Sequence, residues 1–235
     1  MMTLALDTSA NLCAVALHEA GRDRIVCSIR RETPSGHAEL LFALVAAALT
    51  EAGIGYGSVS RVAAVRGPGS FTGIRIALSA ARGLALARGI PAIGVDAFAA
   101  HYRSAARLTG GTGPVLVALD ARRGEIYAKL FSGGRNPDAG EPFVGTPEHV
   151  LAQYREQSLA QVQVCGSGAG RFGSQFGTPI HYLAAPDIDE IAQIAAVSDP
   201  AQHPPVPLYI RPADARPQAR MGVTLAAGSS DRQVR

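Results

Sequence analysis

Short apolar runs bounded by glycine, proline and aspartate alternate with longer stretches of helical spacing through the first hundred residues. Residues 2–7, 13–19 and 24–29 predict three antiparallel strands, joined by Asp7-Thr8-Ser9-Ala10-Asn11 and by Ala20-Gly21-Arg22-Asp23. Thr33-Pro34-Ser35-Gly36 then breaks the chain. Residues 37–52 set Leu40, Leu44, Ala47 and Ala48 on one helical face, and Gly53 stops the helix. A strand over 62–65, a helix over 72–88 and a strand over 92–95 complete the order β-β-β-α-β-α-β.

The second half repeats this order in outline. A helix over 96–107 leads to the glycine-rich linker Thr109-Gly110-Gly111-Thr112-Gly113-Pro114. Strands over 115–119 and 125–131 flank Asp120-Ala121-Arg122-Arg123-Gly124. Thr146 as N-cap and Pro147 at the first helical position open a helix to about residue 156. A strand over 161–165 ends in Gly166-Ser167-Gly168-Ala169-Gly170, and Asp187 with Glu190 caps a helix reaching 197. Residues 200–207 are too rich in proline to be regular, and 208–211 predict a short extended segment. Each half opens on a hairpin with an aspartate at its turn. The expectation is an α/β chain of two related lobes with a cleft between them, over residues 1–108 and 109–212, with a mobile tail over 213–235.

Composition narrows the class. Of 235 residues, 47% are hydrophobic and 17% charged, which indicates a folded chain with a sizeable core. Apolar runs fall short of the ~18 residues that a membrane span needs. The sequence starts directly in a strand-like run with no targeting pattern, so the expected location is the cytoplasm. Cys13, Cys27 and Cys165 are odd in number and widely spaced, which fits a reducing compartment and small core residues. Net charge is +3 and Lys129 is the single lysine. The arginine excess points weakly to nucleic acid, and arginine-rich genomic coding accounts for it equally well.

The candidate chemistry sits in three glycine- or aspartate-bearing turns. Arg66-Gly67-Pro68-Gly69-Ser70-Phe71-Thr72-Gly73-Ile74-Arg75 joins a buried strand to a helix. Its glycines let amides approach an anion at the helix N-terminus, or simply make a tight turn. It is not a Walker A loop, because Ile74-Arg75 stands where Lys-Ser or Lys-Thr would. Asp7, Thr8 and Ser9 have two readings: a magnesium- and water-orienting group, or side chains that satisfy their own turn. Gly166 and Gly168 either hold a nucleotide or cap a strand. Ser70 lies outside any Gly-x-Ser-x-Gly pattern, and His37 and Glu39 carry no catalytic assignment.

Leu6-Asp7-Thr8-Ser9 resembles the first phosphate loop of the actin, Hsp70 and sugar-kinase fold, a ribonuclease H-like class. The Gly67–Gly73 stretch, Leu119-Asp120-Ala121-Arg122-Arg123-Gly124-Glu125-Ile126-Tyr127 and Pro207-Leu208-Tyr209-Ile210-Arg211 resemble signatures of the TsaB family, over residues 2–212. The resemblance implies a non-catalytic partner of TsaD, assembled with TsaE, in making threonylcarbamoyladenosine beside the anticodon of tRNA. It implies a homodimer in isolation, tRNA reached through the complex, and no cofactor beyond weak ATP or ADP binding. The metal would belong to TsaD, whose family carries a His-x-x-x-His helix; here Ala97 takes the first position and His101 the second. Leu40, Leu44, Ala47, Ile74, Leu78 and Ala81 are the expected dimer or TsaD face. Two enzyme readings compete. One is a small-molecule kinase or ATPase using Asp7 and the Gly67 and Gly166 loops; the other is an M22-type metallopeptidase-like protein, which needs a metal.

Overall fold

The computed structural model describes residues 1–110, 113–134, 140–154, 162–175 and 180–211. The first lobe runs β1 (Met2–Ala10), β2 (Leu12–Glu19), β3 (Arg24–Glu32), α1 (His37–Glu51), β4 (Val59–Gly67), α2 (Phe71–Arg88) and β5 (Ala92–Asp96). Its sheet order is β3-β2-β1-β4-β5, with β1 antiparallel to β2 and parallel to β4. Helix α3 (Ala97–Thr109) leads to β6 (Val115–Asp120), β7 (Ile126–Phe131), β8 (Phe143–Gly145), α4 (Pro147–Gln153), β9 (Gln163–Cys165), β10 (Ile180–His181) and α5 (Ile188–Val197). The second sheet is ordered β10-β9-β6-β7-β8. Numbered from the first strand of each lobe, both sheets read third-second-first-fourth-fifth. This is the twin-lobed actin-like arrangement expected from the repeated hairpin.

Side-chain alternation along β1 and β2 builds two layers. Leu4, Leu6, Val15 and Leu17 meet Leu41, Leu44, Ile74 and Leu78 of α1 and α2 in one core. Ala5, Ala14 and Ala16 face a second core with Phe98 of α3 and Ile188 and Ile191 of α5, which continues into Val115 and Val117 of β6. The central strands are covered on both faces, which is why their sequence reads as unbroken apolar runs.

Helix α5 departs from the expected division of the chain. It lies C-terminal to the second sheet in sequence, yet it packs on β1 and β2 of the first. Its stripe of Ile188, Ile191, Ala192 and Ala195 fits the alanine-lined face of that sheet. Polar anchors hold the same position. Arg30 pairs with Asp187 and Asp189, Arg103 and Arg107 pair with the buried Glu190, and the Arg61 guanidinium donates to Ala195 O and Ser198 O. The boundary at residue 109 therefore divides the two sheets but not the two packed units.

Residues 203–211 form an irregular strap, where the sequence predicts a short extended segment at its end. Gly94 N donates to His203 O at 2.9 Å and Leu208 N to Arg66 O at 2.7 Å, so the strap crosses the ends of β5 and β4. Pro204, Pro205 and Pro207 lack the amides that a continuous ladder would need. Strands β8 and β10 are not predicted, being too short to show a period. The predicted helix end at 156, strand start at 161 and tail over 213–235 lie outside the described residues.

Candidate functional site

A cleft of about 1040 Å³ opens between the two lobes. The end of β1 (Ser9, Ala10), which runs on through the residues predicted as a turn, Asn11 between β1 and β2, the glycine-rich turn before α2, the β6–β7 turn (Asp120 to Arg123), Ser167 and the strap residues Leu208 to Arg211 all line it. Of the predicted nucleotide-binding residues, Ser9 and Gly69 line this cleft, whereas Asp7, Thr8, Gly67, Gly166 and Gly168 are not part of its lining.

The glycine-rich turn is seated on the chain's own backbone. Gly73 packs so closely on Thr8 that a Cβ would fall inside the van der Waals shell of Thr8 O. Thr8 Oγ1 donates to Gly73 O at 2.6 Å. Gly69 lies beside Ser9, whose carbonyl accepts from Ser70 N at 2.8 Å, and Gly67 lies against Leu208 O. Ser70 caps α2 by accepting from Gly73 N at 3.3 Å, and Ser9 N donates to Asp7 Oδ1 at 2.8 Å. Gly69 and Gly73 answer a close approach of β1, and the amides of Ser70, Gly73 and Ile74 are bonded within the protein.

The second lobe repeats the pattern. Gly166, at φ +111°, presses on Ala118 O, where a side chain has no room. Gly168 N donates to the same carbonyl at 2.9 Å, and Asp120 N donates to Ser167 Oγ at 3.0 Å. Arg122 N is taken by Asp120 Oδ1, and Ala121 N by Glu125 O. The amides of Asp120, Ala121, Arg122 and Gly168 are thus bonded within the protein.

Asp7 is 1% exposed and is not among the residues lining the cleft. Burial pushes its carboxyl pKa up, while the hydrogen bonds from Ser9 and the charge of His37 pull the other way; its Oδ2 has no partner. A carboxyl biased toward its neutral form and shut away from the cavity is poorly placed to hold magnesium. His101 reaches the cleft wall but is 3% exposed, and burial holds its pKa down to about 3. Its Nδ1 has no hydrogen-bond partner, and one turn earlier on the same helix stands the buried methyl of Ala97. Among the described residues no group of three or more His, Cys, Asp or Glu side chains could hold a metal ion. The three thiols are free and buried, with Cys13 pushed up to about 11 and Cys165 to about 12 by burial. Neither is poised as a nucleophile.

The expected docking residues need correction. Leu44, Ile74, Leu78 and Ala81 are buried in the chain's own core under α1 and α2, so they offer no surface to a partner. Leu40 is half-buried and Ala47 is exposed. Leu41 and Val45, next to the predicted positions, turn inward instead. The outer face of the same helices carries Phe42, 54% exposed, and Phe71, 57% exposed. They border a shallow, mainly apolar groove of about 550 Å³ with Ala38, Thr72, Arg75, Ile76, Ser79 and Ala80. The Arg75 guanidinium lies 3.7 Å from the Phe71 ring centroid, and its Nε donates to Tyr209 Oη at 3.1 Å.

Comparison with known proteins adds to this geometry. The family model described as TsaD, tRNA N6-adenosine threonylcarbamoyltransferase, matches residues 31–197. The tRNA threonylcarbamoyladenosine biosynthesis protein TsaB of Haemophilus influenzae is 31% identical over 183 residues, 74% of each chain. The chain belongs to the TsaB family. The Escherichia coli protein of that name is 39% identical over 127 residues, 54% of this chain and 53% of the relative. The match thus spans about half the length of that relative. A solved Pseudomonas aeruginosa structure, described as an uncharacterized protein with similarity to peptidase YEAZ, superposes with a TM-score of 0.75 at 30% identity. The superposition covers 89% of this chain and 99% of that one.

Two features of this TsaB-family chain escape sequence reading. Arg122 and Arg123 adopt left-handed backbone at φ 63° and 54°, in the turn that lines the cleft. The paired arginines before Gly124 mark a turn in sequence, but not which wall it forms. Tyr182, 68% exposed and also lining the cleft, has no local signal at all. Among the described residues no helix is long and apolar enough to cross a membrane.

Proposed function

We propose that this protein is the accessory subunit in forming threonylcarbamoyladenosine on tRNA, next to the anticodon, and that it makes no bond itself. It docks on a TsaD-type transferase, with TsaE joining the assembly, and works in the cytoplasm beside its tRNA substrate. The observation carrying this reading is the isolation of His101: a buried, neutral imidazole without a second metal-binding side chain on its helix. A metallopeptidase-like reaction lacks a place for its metal in such a setting. A kinase or ATPase reading meets loop amides already bonded within the protein, so no nucleotide is assigned to the chain itself.

The docking face in this reading is the outer side of α1 and α2 around Phe42 and Phe71. Two large exposed aromatic side chains beside an apolar groove favour a protein partner, and the same face serves a second copy when the partner is absent. Size-exclusion chromatography with the transferase of the same organism tests it. Phe42→Glu keeps the fold and loses both association and self-association. Undiminished association of a folded Phe42→Glu protein contradicts the assignment of this face. Leu78→Asp is the wrong probe, since burying a carboxylate there unfolds the chain at a cost of roughly 4 kcal/mol or more.

A further inference from the structure

The two lobes meet in a shared core and again at the strap. In the core, Phe98 of α3 belongs to one buried cluster with Val115, Val117 and Leu119 of β6 and Cys165 of β9. Lys129 of β7 adds an ion pair to Asp96 at 3.8 Å. Two bodies joined through one core can rock about it. A second tie across the cleft removes that freedom, and the strap has the contacts to be one.

On the first lobe, the bonds from Gly94 N to His203 O and from Leu208 N to Arg66 O fix the strap to the ends of β5 and β4. Arg75 Nε donates to Tyr209 Oη at 3.1 Å, and the Tyr209 ring centroid stands 5.9 Å from that of Phe71. The next two residues reach the second lobe. Ile210 packs against the shared core, and Arg211 pairs with Glu125 of the β6–β7 turn, its guanidinium 5.8 Å from the Tyr127 ring centroid. The chain thus passes from one lobe to the other between residues 209 and 211.

Stiffness and magnitude decide what this crossing can do. Pro204, Pro205 and Pro207 fix φ along the strap, and Val206 N donates to Pro204 O, so little slack separates its two anchored ends. The side chains of Arg211 and Glu125 are 21% and 37% exposed, and an ion pair so placed is weak by itself. It acts beside the partly buried Ile210 on one stiff segment, so the two contacts hold together.

We infer that residues 208–211 are a latch that holds the two lobes at one cleft opening, with Leu208 and Tyr209 bound to the first lobe and Ile210 and Arg211 to the second. The outer face of α1 and α2 and the β6–β7 turn then move as one body. Releasing the latch lets the second sheet loosen from α3 while the first lobe keeps its own core. The latch stands whether or not that outer face docks a transferase.

The chain carries its own reporters. Cys165 is buried in the shared core, whereas Cys13 and Cys27 are buried in the separate core under α1 and α2. Labelling of the native full chain with N-ethylmaleimide, quantified thiol by thiol by mass spectrometry, reads the opening of each core. Ile210→Ala with Arg211→Gln speeds labelling of Cys165 by roughly tenfold or more and leaves Cys13 and Cys27 within about twofold of the parent. Arg211→Gln or Glu125→Gln alone gives roughly two- to fivefold. Glu125→Arg with Arg211→Glu, which reverses the pair, returns Cys165 to within about twofold of the parent rate. Arg22→Gln, at a surface ion pair away from the strap, changes nothing. Unchanged labelling of Cys165 in the Ile210→Ala, Arg211→Gln chain overturns the inference. So does equal acceleration of all three thiols, which reports loss of the whole fold, or a reversed pair that labels as fast as Arg211→Gln.

Discussion

Thr8 and Gly73 are locked together from both ends: the Thr8 hydroxyl donates to Gly73 O at 2.6 Å, and Thr8 O occupies the space where a side chain on residue 73 would stand. The contact pins the start of α2 to the end of β1. It thereby sets the height of the glycine-rich turn on the cleft rim.

Gly73→Ala places a methyl group against a backbone carbonyl that cannot swing away, and it destabilises the protein by about 2–4 kcal/mol. Gly83, on the same helix, has open space around it. Gly83→Ala accordingly stabilises by about 0.5–1 kcal/mol through helix propensity. Urea unfolding of the two variants reads opposite signs. If both substitutions move the midpoint the same way, the close approach is not what residue 73 requires.

That pair also shows what sequence could and could not reveal. The glycine spacing announces a close approach, but only the fold shows that the approaching atom belongs to β1 and not to a ligand. The doubled hairpin was legible because Asp7 and Asp120 each follow an apolar strand, and the two sheets do share one order. The inward face of α1 was not. Alanine and leucine surround that helix, so Leu40 and Ala47 look as apolar as Leu41 and Val45, and only packing against β2 separates them. Helix α5 follows the second sheet in sequence, and nothing local tells that its alanine-fitting stripe folds back on the first. The arginine and tyrosine residues of the cleft come from distant turns, and no spacing rule joins them.

His101 gives the stability a pH dependence of defined sign. Its pKa falls from 6.5 in the unfolded chain to about 3 in the fold because burial disfavours the imidazolium. The unfolded state therefore binds more protons between these values, and stability falls as pH drops. The contribution is complete above about pH 6.5, shrinks by about 2 kcal/mol on reaching pH 5, and is exhausted near the folded pKa. His101→Met, which keeps an apolar side chain of similar reach, flattens the acid limb measured by urea unfolding at pH 7 and pH 5. An unchanged slope in the variant would show that the imidazole is not held neutral.

Asp7 acts in the opposite sense. Its folded pKa is raised above 3.8 by burial, so the native state prefers the proton and loses stability as pH rises through and above that value. Asp7→Asn keeps the acceptor for Ser9 N and removes the desolvated charge. Its melting temperature at pH 8 exceeds that of the parent, and the gain narrows at pH 4, where the parent carboxyl is increasingly protonated. A lower melting temperature at pH 8 would mean that the ionised carboxylate is structurally needed, as a metal- or water-orienting group would be.

The direct test of a helper without chemistry of its own is reconstituted tRNA modification. Threonylcarbamoyladenosine is quantified by mass spectrometry of digested tRNA after incubation with the low-molecular-weight substrates and this chain alone, the TsaD-type transferase with TsaE, or all three proteins. The expected result is no modified nucleoside from the chain alone and a rate with all three well above that of the transferase and TsaE. Modification by the isolated chain at the rate of the full assembly would contradict the account.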